Sequence, residues 1–251
     1  MHKVIVLQAR LGSSRLPGKV LLPLSGRPVL WHILERLKCA RTVDQVCVAT
    51  TVNPADDKLV EFCDEYGVKV IRGSEYDVLQ RYIVAAFETE ADIVVRATAD
   101  NPLVHPDGID EQVEYLENHP ECDYVFQSDL PLGTMVETFT RKTLEKLDYV
   151  SRDAIYREHV TFYLHDKRGY HGFHMADIAV PAALRNPELR LTLDTEEDYH
   201  LLSTIYEELY SEGDIIRLED VIDYFRRNPG LKNLNKDVVQ VPSQFVAEKV
   251  V

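Results

Sequence analysis

Apolar and polar positions along the chain follow two periods in turn. Val4-Ile5-Val6-Leu7 is a short unbroken apolar run, readable as a strand buried on both faces, and it breaks into a polar loop. From Pro28 to Ala40 the apolar residues Val29, Leu30, Ile33, Leu34 and Leu37 share one helical face. Gln45–Thr50 reads as a strand. Pro54–Tyr66 reads as a helix opened by Asn53-Pro54 and stopped by Gly67. Val68–Arg72 is a predicted strand, Tyr76–Glu88 a helix, and Asp92–Ala97 a largely buried strand. Such alternation implies parallel strands joined by crossover helices.

The second half is less regular. The pattern predicts helices over Asp107–Asn118, from Lys142, over Ala154–His165, Thr195–Tyr210 and Leu218–Arg227. Asp123–Gln127 and Gly172–Val180 read as strands and Val136–Phe139 as extended. No internal repeat, low-complexity tract or linker divides the chain, which reads as one α/β domain over 1–251. The tail, 230–251, is polar and then apolar (Val238, Val239, Val241, Phe245, Val246, Val250, Val251) and suits docking on the body or on a partner subunit in a homodimer.

Charge narrows the function. The formal net charge of −14 opposes binding of long nucleic acid or an anionic membrane surface through bulk electrostatics, but not of a nucleotide in a local basic pocket. Cys39, Cys47, Cys63 and Cys122 show no C-x-x-C spacing and read as buried free thiols of a reducing compartment. No signal peptide or membrane-spanning run is evident, so a cytoplasmic protein is expected.

Against that acidic background, the loop after the first strand, Q-A-R-L-G-S-S-R-L-P-G-K-V, gathers Arg10, Arg15 and Lys19 around Gly12 and Gly18. Backbone N–H groups in a glycine loop can point at phosphate oxygens while cations neutralise them. The spacing is neither a P-loop nor a dinucleotide fingerprint. Asp100 closes the D-I-V-V strand in R-A-T-A-D-N-P-L, on the loop's side of the sheet, with Pro102 ending the strand. Asp194 ends the alternating R-L-T-L, and Thr195 can cap the next helix, with Glu196, Glu197 and Asp198 complementing its dipole. Mg²⁺ favours one or two carboxylates plus substrate phosphates, which Asp100, joined by Asp194, would offer. Read as a strand, the segment around His171 and His174 puts them on opposite faces, against a zinc site. Tyr199, Tyr206 and Tyr210 read as helix packing.

These residues resemble the sugar cytidylyltransferases, most closely the family of the spore coat polysaccharide biosynthesis protein SpsF, relatives of the CMP-Kdo and CMP-sialate synthetases. The likeness continues through A-T-T-V-N-P-A-D-D (49–57), R-G-S-E-Y-D-V-L-Q-R-Y (72–82), R-A-T-A-D-N-P-L-V (96–104), R-E-H-V-T (157–161) and L-D-T-E-E-D (193–198). It implies a nucleotide-diphospho-sugar-transferase (GT-A-like) fold, a three-layer α/β/α sandwich around a mostly parallel mixed sheet. It also implies a Mg²⁺-dependent enzyme transferring a nucleotide, CMP from CTP, to a sugar acceptor and releasing pyrophosphate. By the same resemblance Gln8, Ala9 and Arg10 line the nucleotide pocket. Gly12, Ser13, Arg15 and Lys19 hold the triphosphate, and Gly73, Ser74 and Arg81 border the nucleotide. Asp77, Glu137 and His159 lie towards the sugar, and Asp100 and Asp194 carry the metal. Ala99 stands where relatives have Gly, Asn101 where Cys or Glu is common, and Phe162 where Pro is frequent; a loop needing positive φ at Ala99 would be strained. His159 is either a general base or a helix histidine bonded locally. Competing classes are a glycosyltransferase on the same fold, opposed by the lack of a D-x-D at a strand end, and a nucleotide-binding module without turnover.

Overall fold

The structure is a computed structural model, described here over residues 1–166 and 172–239. The strands and helices are β1 (Lys3–Gln8), β2 (Pro23–Leu24), β3 (Arg27–Pro28), α1 (Val29–Leu37), β4 (Gln45–Thr51), α2 (Asp57–Tyr66), β5 (Lys69–Gly73), α3 (Val78–Glu88), β6 (Ile93–Thr98), α4 (Pro106–Asn118), β7 (Tyr124–Phe126), β8 (Glu137–Thr140), α5 (Arg141–Val150), α6 (Ala154–His159), α7 (Phe162–His165), β9 (Met175–Asp177), α8 (Glu196–Leu209) and α9 (Leu218–Arg227). Seven strands form one sheet in the order β5-β4-β1-β6-β8-β7-β9. β5, β4, β1 and β6 run parallel, β8 is antiparallel to both β6 and β7, and β9 is parallel to β7. The small β2–β3 hairpin stands apart from that sheet.

Alternation along β1 divides the core. Ile5 and Leu7 pack with α1, α2, α4, α8 and α9, whereas Val4 and Val6 pack on the face covered by α3, α5 and α7. Helices cover both faces, which is why the central strands are apolar on both sides. The result is the expected α/β/α sandwich around a mostly parallel mixed sheet. Among the described residues no helix is long and apolar enough to cross a membrane.

Several boundaries differ from the sequence reading. The helix expected over Ala154–His165 breaks at Val160, whose φ of 50° is costly for a β-branched residue, into the separate α6 and α7. The strand expected over Gly172–Val180 shrinks to Met175–Asp177, because only three residues pair with β7. Cys47, Cys63 and Cys122 are buried free thiols, but Cys39, just past α1, is exposed. Ala99 needs no glycine-like geometry, since positive φ at non-glycine residues is confined, among the described residues, to Ser25, Glu90 and Val160. His171 and residues 240–251 of the proposed tail lie outside the described residues.

Candidate active site

The parallel strands deliver their loops to one edge of the sheet, and the basic loop emerges there from β1. Its entry is fixed by Ala9 N–H on the Ala49 carbonyl (3.1 Å) and by Leu11 N–H on Asp56 Oδ1 (2.7 Å). Its exit is fixed by Gly18 N–H on the Leu11 carbonyl (3.1 Å). Gly18 takes φ of 68°, a left-handed conformation in which a side chain would be strained. Gly12 has no such requirement; it is exposed, and a Cβ there would meet only Glu75 Oε1 at 3.9 Å. Val20 is buried, while Leu16, Leu21 and Leu22 pack on the core, so the loop is anchored below its polar rim.

Lys19 opens the 3₁₀ turn after the loop and points back across the strand ends. Its Nζ donates to the Leu193 carbonyl (2.7 Å) and to Asp194 Oδ1 (2.9 Å), and lies 3.5 Å from Asp100 Oδ2. Arg15 Nη2 lies 3.1 Å from the same Asp194 oxygen. Two carboxylates ninety-four positions apart thus converge on one ammonium group. The Asp100 turn is tied to the Asp194 segment by Leu193 N–H on the Asp100 carbonyl (2.7 Å), and Thr98 Oγ1 donates to Asp100 Oδ1. Burial alone would raise the Asp194 pKa, but Lys19, Arg15 and Arg190 together hold it below the usual carboxylate range.

Arg190 and Asp198 escaped the sequence reading. Arg190 Nη2 donates to Asp194 Oδ2 (3.0 Å), and its Nε donates to Asp198 Oδ1 (2.8 Å). Thr195 and Asp198 form a reciprocal cap at the start of α8, as expected, but Asp198 also accepts from Asp194 N–H (3.0 Å) and from Asn235 Nδ2 (2.9 Å). It is fully buried and anchors the segment that presents Asp194. The spacing Arg190, Asp194, Asp198, four residues each, was the available signal.

The remaining predicted residues fall into two groups. On the β1 side, Gln8 Oε1 accepts from Tyr82 OH (3.2 Å), Ala9 is buried, and the exposed Arg10 lies 3.9 Å from Glu75. Gly73 ends β5 against the Arg81 side chain, since a Cβ would fall 2.9 Å from Arg81 Cγ. Arg81 is only 2% exposed and donates to the Ser74 and Glu75 carbonyls, so it shapes this loop from behind instead of reaching a ligand. Ser74 Oγ accepts from Asp77 N–H (3.1 Å). Asp77 caps α3 through Gln80 N–H (2.8 Å) and receives a forked contact from Arg157 Nε and Nη2 at 2.7–3.0 Å, which ties α6 to α3. On the β8 side, Glu137 is buried and accepts from Arg96, Tyr124 and Thr161. His159 ends α6 half-buried, and burial lowers its pKa.

Among the described residues no three His, Cys, Asp or Glu side chains form a ready-made metal cluster. Asp100 and Asp194 alone offer convergent hard oxygens, a donor set that fits a cation completed by phosphate and water.

The family model described as Cytidylyltransferase matches residues 4–224. The chain belongs to the cytidylyltransferase family. It is similar to an uncharacterized protein of Methanocaldococcus jannaschii, MJ1063, at 40% identity over 99% of this chain and 100% of that one. It is similar to the spore coat polysaccharide biosynthesis protein SpsF of Bacillus subtilis at 31% identity over 90% of this chain and 95% of that one. A cytidylyltransferase structure from Leptospira borgpetersenii superposes with a TM-score of 0.84 at 33% identity, covering 96% of this chain and 100% of that one. The protein is an SpsF-like nucleotidyltransferase.

Proposed function

We propose that this cytidylyltransferase uses CTP and Mg²⁺ to place CMP on a sugar hydroxyl for surface glycan synthesis, releasing pyrophosphate. The observation that carries the reading is the convergence of Lys19, Arg15, Asp100 and Asp194 where the parallel strands end. The nucleotide lies along the loop, with Gln8, Ala9, Arg10, Gly73 and Ser74 around the nucleoside. Gly12, Ser13, Arg15 and Lys19 face the triphosphate. Asp100 and Asp194 would hold the Mg²⁺, whose charge offsets that of the phosphates.

The reaction asks for in-line attack of a sugar oxygen on the α-phosphorus, with the bond to the bridging oxygen breaking and pyrophosphate leaving. Positioning and charge neutralisation dominate such a step. Lys19, steadied by the Leu193 carbonyl and Asp194, turns towards phosphate oxygen when nucleotide enters. The acceptor approaches from the α3, α6 and β8 side, where Asp77, Glu137 and His159 lie. Burial keeps His159 neutral near pH 7, the form that can accept the hydroxyl proton. In this reading residues 1–251 form one nucleotidyltransferase domain of a cytoplasmic homodimer.

Calorimetry with CTP, UTP, GTP and ATP, each with and without Mg²⁺, tests the reading. Mg²⁺-dependent preference for CTP supports it. Binding of a nucleotide-sugar with no triphosphate binding would replace it with glycosyl transfer.

A further inference from the structure

Asp107, Glu111 and Glu114 recur at four- and three-residue spacing along α4, so they share one face of that helix. The helix dipole accounts for Asp107, in the first turn, but not for the two glutamates beyond it. Their face opens on a cavity of about 270 Å³, whose other walls are Glu219, in the first turn of α9, and the turn carrying Pro181 and Leu184. Asp110 and Arg41 also reach the cavity but are committed to each other, Arg41 Nε donating to Asp110 Oδ2 (2.9 Å). The remaining carboxylates have little counter-charge among the described residues. Asp107 lies 3.7 Å from Arg41, and Glu219 lies 3.6 Å from Arg217. Glu111 Oε2 accepts from a neutral amide, Gln127 Nε2 (2.7 Å), and Gln127 is only 1% exposed, so it holds that carboxylate in place.

His105, the residue before α4, separates a binding site from a merely solvated acidic face. It is 7% exposed, and its ring forms part of the cavity wall. Its backbone N–H donates to the Thr134 carbonyl (2.8 Å), but the ring has no hydrogen-bond partner among the described residues. Gly108 leaves the room the ring takes, since a Cβ there would come 3.2 Å from His105 Cδ2 and 2.8 Å from Gln127 Oε1. Burial lowers the pKa of His105 against the opposite pull of Asp107, so near pH 7 the ring is neutral and one nitrogen is an acceptor. A buried acceptor without a donor is costly, and a ligand N–H arriving there regains that energy.

Spacing selects the kind of cation. At about 1.5 Å of rise per residue, Asp107 and Glu111 stand about 6 Å apart along the helix axis, and Glu111 and Glu114 about 4.5 Å. With bonds of about 1.5 Å, amines joined by four or three methylenes are about 6 or 5 Å apart when extended. Pro181 and Leu184 offer apolar surface to such methylenes. The volume is below that of pockets enclosing drug-sized ligands and suits a slender chain. Among the described residues no three acidic or histidine side chains converge as a bare metal ion would require.

We propose that this cavity binds a linear polyamine, with its ammonium groups on Asp107, Glu111 and Glu114 and one of them donating to the His105 ring. The site is separate from the nucleotidyl-transfer centre and does not depend on that reading.

The test is calorimetric titration of the full chain with spermidine, without nucleotide or Mg²⁺, in about 0.05 M salt so that exposed charges are not screened out. One site is expected, with Kd at least about tenfold below that for butylamine, whose single ammonium reaches one carboxylate at a time. Glu111→Gln keeps an acceptor for Gln127 and should weaken spermidine about tenfold. Glu65→Gln removes the same charge from an exposed position on α2 and should leave Kd within about twofold. His105→Phe keeps a ring without the acceptor nitrogen and should weaken binding about five- to tenfold; where it does not fold, Glu114→Gln takes its place with the same expectation. Equal weakening by Glu65→Gln would reduce the effect to attraction by the net charge and overturn the proposal. So would equal affinity for butylamine, displacement of spermidine by an equal concentration of Mn²⁺, or no binding at all.

Discussion

Replacing Glu137 by Gln probes a buried charge on the β8 side, and the structure sets the size of the effect. The carboxyl group is 7% exposed, and burial alone would raise its pKa. Arg96, His165 and Tyr124 reverse that and hold it at about 2, against an ordinary 4.5. At about 1.4 kcal/mol per unit, this gap stabilises the native state by roughly 3 kcal/mol when the group is ionised. Because the folded pKa lies below the unfolded one, the contribution is fully present above the unfolded value. It is lost as pH falls from 4.5 towards 2. Roughly a third to a half of it is gone by about pH 3.5. Gln keeps an oxygen for Tyr124 and Thr161 but turns an amide donor towards Arg96, leaving a buried cation unpaired, which typically costs about 3–5 kcal/mol. Urea unfolding of both proteins, followed by circular dichroism at about pH 7, 5 and 3.5, should show a deficit of that size near neutrality. The deficit should shrink by about 1 kcal/mol at the acid end, with m-values unchanged. A deficit that is the same at all three pH values, or below about 1 kcal/mol at pH 7, refutes the reasoning.

Lys19→Gln removes the ammonium group on which Asp100 and Asp194 converge; pyrophosphate release should fall about 10²–10³-fold with the far-ultraviolet spectrum unchanged, and near-normal turnover would contradict its assigned role. Gly133→Ala puts a Cβ 2.4 Å from Thr192 N at a φ of 96°, so the strand-like segment carrying Arg190 and Asp194 must shift. We expect a loss of at least about 2 kcal/mol and a melting temperature lower by about 5 °C or more by scanning calorimetry. Chelation with EDTA should abolish turnover and added Mg²⁺ restore it, whereas Asp100→Asn should stay inactive at any Mg²⁺ concentration in the same assay.

How legible the site was depended on how far apart its parts lie in the chain. The basic loop follows its strand directly, and Asp100 follows its own, so an apolar run plus a change of polarity located both. Pairing Asp100 with Asp194 needed the third dimension, since the Leu193–Asp100 backbone bond, the Thr192 hydroxyl on the Asp100 carbonyl and the Lys19 side chain join segments far apart in the chain. Asp198 was explained by the α8 dipole, which is true of it but incomplete, because a fully buried carboxylate at a helix start requires a cation and Arg190 supplies one. Val160 defeated periodicity for the opposite reason. Its residue type argues for a regular element, whereas the chain takes a positive φ there, beside Thr161, whose hydroxyl donates to the buried Glu137. Strand β9 is short although Ala176, Ile178 and Val180 keep alternating onto one core, because pairing with β7 ends at Asp177, and apolar alternation does not report where a partner strand stops.

Charge balance explains why the metal matters to this reading more than the loop's three cations first suggest. Lys19, Arg15 and Arg190 are all engaged with Asp100, Asp194 and Asp198, three positive groups against three negative. The centre is therefore close to neutral as it stands, and of the loop cations only Arg10 is loosely held, 3.9 Å from Glu75. A triphosphate brings several negative charges into a chain whose net charge is already −14. Admitting it requires either loss of a carboxylate's charge or arrival of further positive charge. The first is opposed by the low pKa of Asp194, which keeps it ionised. Under the proposed function the second would be met by a divalent ion on the oxygens that Lys19 now occupies, and the ammonium would then be free for phosphate. One side-chain motion would then link nucleotide entry to metal entry, with Lys19 as the residue on which that coupling turns.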